Sequence, residues 1–316
     1  MNSAEVLSLP RKKQGLRTYL KRYWTLYLLL FLPLVYFTIF KYIPITYIQI
    51  AFKKYSIVQN VWQMPWADNH GFEYFIKAFS NRDFLFALRN TITLNLLDLL
   101  AGFPAPIILA IVLNELKFER FKKLTQTVAY MPHFLSWIII AGLAIQIFAP
   151  TTGLVNTALG RMGIEPIPFL NEKTHWVITY VFLGVWQSVG WNTIIYLAAI
   201  TAINPELYEA AAMDGAGRFR RIWHVTLPGI RSTIVVMLII RLGYILGSEF
   251  DRPYALQNNL VKNVATVIST FIYTYGIRAL QFSLTTAVGL FQSVVGVCFL
   301  FAADRLAKKF GERGLV

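Results

Sequence analysis

The sequence contains one cysteine and four histidines in 316 residues, and this scarcity limits its chemistry. Cys298 alone excludes an intramolecular disulfide and any metal site built from several cysteines. His70, His133, His175 and His224 lie far apart, and none belongs to an HxxxH or HExxH pair. We therefore expect neither a bound metal ion nor a catalytic centre in this chain.

Two energy-coupling motifs are also missing. No GxxxxGK[ST] phosphate loop occurs, so the chain should neither bind nor hydrolyse ATP. A proton-coupled carrier would need paired carboxylates inside the membrane, whereas Asp98 stands alone in its apolar run. If the chain takes part in active transport, another subunit must supply the energy.

Apolar residues are abundant, at 56% of the chain, with a mean hydropathy of +0.51. Six runs approach the roughly 20 residues that a membrane-spanning helix needs. They are Tyr23–Phe40, Ile92–Leu113, Thr127–Ala149, Val177–Ile200, Thr233–Gly247 and Leu284–Ala303. We therefore predict an all-α integral membrane protein with six transmembrane helices.

The 30 Lys and Arg residues outnumber the 16 Asp and Glu residues and are concentrated in alternate segments. The positive-inside rule then makes both termini cytoplasmic. It gives a cytoplasmic segment 1–22, a membrane domain 23–303 and a cytoplasmic tail 304–316. Outer loops should cover about 41–88, 150–176 and 248–283. The basic charge thus predicts topology and no nucleic-acid partner.

Polar residues interrupt several predicted spans. Thr91, Asn95, Asp98 and Gly102 share one helical face of the second span, either for close packing or to line a wet path. Arg241 lies in the fifth span, where an unpaired guanidinium costs at least about 2.5–3.5 kcal/mol. We expect Arg241 to face a cavity or a partner such as Asp98, and both a structural pair and a substrate-path role stay open.

The predicted cytoplasmic loop 204–229 reads NPELYEAAAMDGAGRFRRIWHVTLPG. Asn204-Pro205-Glu206 is typical of a helix start, because Asn caps, Pro suits the first turn and Glu favours the positive dipole end. The helix should stop at Gly215, and Leu227-Pro228 should turn the chain back into the membrane. Its small alanines favour docking in a groove of a partner, but a helix lying on the membrane surface is the alternative.

The same loop resembles the EAA loop of type I ABC importer permeases. The matching positions are Glu209, Ala210, Ala211, Gly215, Val225, Leu227 and Pro228, with Val225 replacing the commoner Ile. In that family the loop is a coupling helix that docks in a cleft of the ATP-binding subunit. Asp214, Arg218, Arg220 and Arg221 are then expected to add supporting contacts.

Further stretches resemble permeases of the carbohydrate branch, most closely those importing oligo- or polysaccharide fragments of the alginate or pectin type. They are FKYIPI (40–45), FPAPIILAIVLNEL (103–116), YMPHFLSW (130–137), GLVNTALG (153–160), VWQSVGWNTIIYLAAIT (185–201) and TAVGLFQSVVG (286–296). The resemblance runs from about Phe40 to the C-terminus. Residues 56–69 depart from that branch.

The resemblance implies the type I permease fold and an ATP-driven, binding-protein-dependent sugar importer of the bacterial inner membrane, working by alternating access. The implied partners are a second permease, two ATPase subunits carrying ATP and Mg²⁺, an extracytoplasmic binding protein and an oligosaccharide. We expect the substrate path to include Trp186, Gln187, Trp191, Asn192, Arg241, Tyr244 and Asp98. Tryptophans in membrane spans are, however, often only interface anchors.

Two other functions stay open at this stage. One is an importer of a different solute class, such as amino acids or phosphate, that shares the EAA loop. The other is a membrane-embedded enzyme acting on lipid-linked sugar, which would need carboxylates clustered at one interface. Glu249 and Asp251 are the only close acidic pair in the predicted outer loops with that potential.

Overall fold

The computed structural model describes residues 16–309 apart from Ser248, so the predicted cytoplasmic ends lie partly outside the described residues. Every regular element described is helical, which confirms the all-α prediction. The helices are α1 Leu16–Phe37, α2 Glu73–Ser80, α3 Arg82–Gly102, α4 Pro104–Glu115, α5 Glu119–Tyr130, α6 Trp137–Phe148, α7 Leu154–Arg161, α8 Lys173–Thr201, α9 Pro205–Met213, α10 Arg218–Arg221, α11 Arg231–Gly243, α12 Asp251–Leu256, α13 Lys262–Ala265, α14 Ile268–Ile272 and α15 Phe282–Lys309. Short 3₁₀ and π turns connect several of them.

Three continuous helical stretches among the described residues are long and apolar enough to cross a membrane: Tyr19–Phe52, Arg82–Glu115 and Phe282–Lys309. Two bent pairs raise the number to five if each pair is one span. The predicted fourth span lies within α8, whose length is 29 residues. By length and composition the described part thus offers three to five spans, and the count of six stays a prediction.

Two predicted spans differ from a single full-length helix. The third bends by 105° between α5 and α6, where Ser136 Oγ caps α6 by accepting from the Ile139 N–H. The fifth ends as a helix at Gly243, four residues earlier than predicted. Asn95 Nδ2 donates to the Ile245 carbonyl oxygen at 2.7 Å, which satisfies a backbone group that the helix no longer pairs.

Helix α8 runs through the centre of the fold and packs against α3, α4 and α5. Trp176, Tyr180 and Leu183 are buried in one apolar cluster with residues of α3 and α6. Further along α8, a Cβ at Gly190 would collide with the Ala129 carbonyl of α5. Glycine at this position therefore lets two helix backbones approach closely.

The predicted outer loop 248–283 is a packed layer rather than an open loop. Trp176 Nε1 donates to the Leu256 carbonyl at 2.9 Å. Asn90 Nδ2 donates to the carbonyls of Asn263 and Thr266, both at 2.9 Å. These side chains of α3 and α8 hold helices α12 to α14 against the membrane helices, and thereby bring charged residues of the loop into the interior.

Candidate functional site: the cytoplasmic loop and the central cavity

Helix α9 forms the first half of the loop that resembles the EAA motif. Asn204 Oδ1 accepts a hydrogen bond from the Glu206 N–H at 3.1 Å, with Pro205 in the first turn. The helix ends before Gly215, whose φ of +73° lies in the left-handed region that favours glycine. The predicted start and stop of this helix are therefore confirmed.

The second half of the loop is attached to the membrane helices. Helix α10 continues through a π turn, Ile222–Thr226, and a short turn, Leu227–Gly229, into α11. Tyr208 Oη of α9 lies 3.0 Å from the buried Thr226 Oγ1. Arg218 Nε lies 3.7 Å from Glu115 Oε2 at the end of α4. Contacts of the loop thus reach the end of α4 and the π turn that leads towards α11.

The loop exposes apolar side chains beside its charged ones. Met213 is 88% exposed and Phe219 is 89% exposed, and Leu207 and Trp223 are also exposed. Such a surface marks either a protein interface or a membrane contact. Among the predicted coupling residues, Ala211, Asp214 and Arg220 share one shallow groove, whereas Glu209 and Ala210 lie exposed on α9.

A cavity of about 300 Å³ lies between α3, α8 and the segment from Arg241 to Arg252. Five of the seven predicted substrate-path residues line it: Asp98, Gln187, Asn192, Arg241 and Tyr244. The structure therefore brings together residues from three distant parts of the sequence. Their contact with a substrate stays a prediction.

Arg252 lines this cavity, is only 5% exposed and forms several hydrogen bonds there. Its Nη1 donates to Asp98 Oδ2 at 2.7 Å and its Nη2 to Asp98 Oδ1 at 3.1 Å, a bidentate pair. Nη2 also donates to the Tyr180 carbonyl, and the guanidinium lies 3.6 Å from the centre of the Tyr180 ring. The charge is thereby compensated within the protein interior.

Arg241 was expected to face a cavity or a partner such as Asp98, and the first of these two arrangements is found. Asp98 pairs with Arg252, while Arg241 only lines the same cavity. The reason is that the chain after α11 folds back inward, which delivers Arg252 from a predicted outer loop. The sequence offers an indirect signal, since Asp98 in an apolar run requires a cation, but it does not say which one.

Glu249 and Trp137 were also missed as residues of the cavity. Trp137 Nε1 donates to Glu249 Oε1 at 2.6 Å, and both line the cavity. Asp251 is exposed and lines no part of this cavity. The acidic pair considered for an enzyme therefore does not converge on the cavity.

The two tryptophans of the predicted path lie elsewhere. Trp186 lines an open groove with residues of α5. Trp191 stacks on His133, with ring centroids 4.6 Å apart and an angle of 6° between the planes. In residues 16–247 and 249–309, no group of three or more His, Cys, Asp or Glu side chains is placed to hold a metal ion.

Comparison with known proteins gives a consistent assignment. The model of the family "binding-protein-dependent transport system inner membrane component" matches residues 85–312. Protein LplB of Bacillus subtilis (strain 168) is 46% identical over 94% of this chain and 92% of its own length. The polygalacturonan/rhamnogalacturonan transport system permease protein YteP of the same strain is 44% identical over 92% of this chain and 89% of its own length.

Two solved structures share the fold. A chain from the crystal structure of a bacterial ABC transporter involved in the import of the acidic polysaccharide alginate superposes with a TM-score of 0.85 at 38% identity, covering 94% of this chain and 99% of that one. A chain from the crystal structure of a bacterial alginate ABC transporter in complex with an alginate pentasaccharide-bound periplasmic protein superposes with a TM-score of 0.86 at 37% identity. The match covers 96% of this chain and 100% of that one. The resemblance to type I ABC importer permeases of the carbohydrate branch is thereby confirmed. The chain belongs to the family of binding-protein-dependent transport system inner membrane components and is a multi-pass permease subunit of such a system.

Proposed function

We propose that this chain is the permease subunit of an ATP-driven importer that carries acidic oligosaccharides or polysaccharide fragments across the bacterial inner membrane. One observation supports the coupling role most directly. Helix α9 exposes Glu209 and Met213, while Tyr208 and Arg218 link the same loop to α11 and α4. A subunit that binds α9 therefore gains a mechanical connection to the walls of the cavity.

The mechanism is alternating access. Two ATPase subunits bind the EAA loops of this chain and of a second permease, and an extracytoplasmic binding protein delivers the sugar. Closure of the ATPase dimer around ATP and Mg²⁺ brings the two loops together. The helices then open outward, and hydrolysis returns the cavity to its inward-open state.

The chemistry of the cavity favours an anionic sugar. Arg241 lines it together with the amides of Gln187 and Asn192, whereas the charge of Arg252 is compensated by Asp98. A relative whose name includes polygalacturonan and neighbours that import alginate support the same substrate class.

The test is ATP hydrolysis by the reconstituted complex of this chain, its partner permease, the ATPase subunits and the binding protein, with and without trigalacturonate. We expect the sugar to stimulate hydrolysis in the wild type and Glu209→Lys to abolish the stimulation. Glu119→Lys is the matched control, because Glu119 is an exposed glutamate at the start of another helix, α5. Full stimulation in Glu209→Lys would contradict the coupling role.

The two other functions, import of a different solute class and an enzyme acting on lipid-linked sugar, predict different results. Stimulation by a phosphate or amino acid, with none by any saccharide, would reassign the solute class. Processing of a lipid-linked sugar by the purified chain without ATPase subunits would instead support an enzyme. We expect neither result.

A further inference from the structure

A second polar cavity, of about 350 Å³, lies on the other side of the packed layer formed by α12 to α14. Its walls are the first turns of α3, with Asp83 and Phe86, and the segment from Gln257 to Arg278. We call it the outer cavity. It shares no lining residue with the central cavity, and its volume falls within the roughly 300–1,000 Å³ of small-molecule sites.

The two cavities are separated by a single layer of chain. Thr266 lines the outer cavity, whereas the next residue, Val267, lines the central one. Both residues are extended, with ψ angles of 121° and 171°. Consecutive side chains of extended backbone point in opposite directions, which explains how adjacent residues face different cavities.

The lining of the outer cavity suits sugar hydroxyl groups. It includes the side-chain amides of Gln257, Asn259 and Asn263 and the hydroxyl of Thr274. Amides offer both donors and acceptors, as sugar hydroxyls require. Among the described residues, Gln257 and Asn259 have no hydrogen-bond partner for their side chains, so their polar groups are available to a ligand.

The charges around this cavity are predominantly positive. Lys262 and Arg278 line it, and Arg82 and Arg89 lie over the Phe86 ring with their guanidinium carbons 5.3 and 5.1 Å from its centroid. Asp83, the acidic residue of the lining, already accepts from Tyr275 Oη at 2.7 Å. Lys262 forms no ion pair in the described part of the chain.

We infer that the outer cavity is a second saccharide-binding site, which holds one uronate unit of an acidic oligosaccharide before it enters the central cavity. Lys262 and Arg278 would bind the carboxylate, and the amides of Gln257 and Asn259 would bind hydroxyls. This inference rests on the proposed function and on the outward placement of residues 248–283. An acidic side chain of the binding protein is the rival occupant, but the two amides of Gln257 and Asn259, which have no partner among the described residues, favour a sugar.

The test measures binding of trigalacturonate to the complete membrane complex in lipid nanodiscs, without nucleotide or binding protein. We expect saturable binding by the wild type. Lys262→Gln and Arg278→Gln should each weaken it about tenfold, the effect of losing one hydrogen bond to a charged group. The fully methyl-esterified trisaccharide should bind correspondingly weakly. Lys173→Gln, an exposed lysine of another predicted outer segment, should bind like the wild type.

Each contrary result has a separate meaning. Absence of binding to the wild type, or unchanged affinity in both cavity variants, would overturn the outer site. If the sugar still stimulated ATP hydrolysis through the binding protein, the proposed function would stand. Should Lys262→Gln weaken only the attachment of the binding protein, the cavity is a protein contact and not a sugar site. Failure of every uronate to stimulate hydrolysis would instead reject the proposed substrate.

Discussion

The guanidinium of Arg252 lies against the backbone of Gly184, at a place where any Cβ would collide with it. Gly184 belongs to α8, and Arg252 belongs to the short helix α12, so the glycine provides the space through which α12 reaches the interior. In that space Arg252 meets Asp98 of α3 at 2.7 Å. One glycine and one ion pair therefore join the outer layer to the centre of the membrane helices.

Loss of Arg252 should destabilise the protein strongly. Arg252→Met leaves the Asp98 carboxylate without its cation, and removing one partner of a buried pair costs about 3–5 kcal/mol. Thermal unfolding of the purified chain in detergent should show a large fall in Tm. The double variant Arg252→Met with Asp98→Leu removes both charges and should recover part of the loss.

An exposed pair provides the control for that measurement. Lys54 Nζ and Asp68 Oδ1 are 2.8 Å apart, nearly the 2.7 Å of the Arg252–Asp98 pair, but their side chains are 44% and 69% exposed. Lys54→Met should therefore cost at most about 1 kcal/mol. Equal effects of Lys54→Met and Arg252→Met would show that burial of the Arg252 pair has no energetic importance.

Gly184→Ala should also destabilise the protein, because the added methyl group overlaps the guanidinium. Overpacking of this kind costs about 1–3 kcal/mol. Gly142→Ala in α6 is the matched control, because a Cβ there meets nothing within 4 Å. That change should leave stability unchanged or raise it by up to about 1 kcal/mol, since alanine favours helix.

Combining Gly184→Ala with Arg252→Met tests whether the guanidinium of Arg252 causes the destabilisation by Gly184→Ala. If the methyl group acts through the guanidinium, its cost should nearly vanish when Arg252 is absent, and the double-mutant cycle should show strong coupling. Additive effects would mean that Gly184 is required for another reason.

The sequence predicts the parts of this fold that depend on local or periodic signals. The start at Asn204, the stop at Gly215 and the polar stripe with Asn95 and Asp98 all follow from cap chemistry and helical spacing. The partner of Asp98 could not be predicted, because 154 residues separate Asp98 from Arg252 and the inward fold of α12 depends on tertiary packing. The position of Trp191 outside the central cavity could not be predicted either, since its stacking on His133 joins residues that are far apart in the sequence.

Gly215→Ala should impair coupling while leaving most of the fold intact. The left-handed φ of +73° costs an alanine about 1–2 kcal/mol, and the strain is relieved most easily by shifting the exposed helix α9. We expect reduced sugar-stimulated ATP hydrolysis in the reconstituted complex, with a small change in Tm. Gly217→Ala is the control, because Gly217 has a φ of −67° and open space around its Cα. If both variants hydrolyse ATP like the wild type, the conformation at Gly215 does not determine docking.

Glu172 should make stability depend on pH at the start of α8. Its carboxylate accepts a hydrogen bond from the His175 N–H at 2.9 Å. Backbone hydrogen bonds from His175 and then Thr174 lower the pKa of Glu172 from 4.5 to about 2. Because the folded pKa lies below the unfolded one, the ionised cap stabilises the fold fully above about pH 4.5, and this contribution is lost as the pH falls towards 2.

The measurement is the Tm of the wild type and of Glu172→Gln between pH 7 and pH 3. The neutral amide still caps the helix but carries no charge for its positive end. We expect the wild type to melt higher at pH 7 and the difference to shrink below about pH 4.5, where protonation of the unfolded chain begins to cancel it. Glu165→Gln, at an exposed position of the preceding segment, should show no such trend. A difference that stays constant over the whole range would mean that the charge of Glu172 does not contribute to the cap.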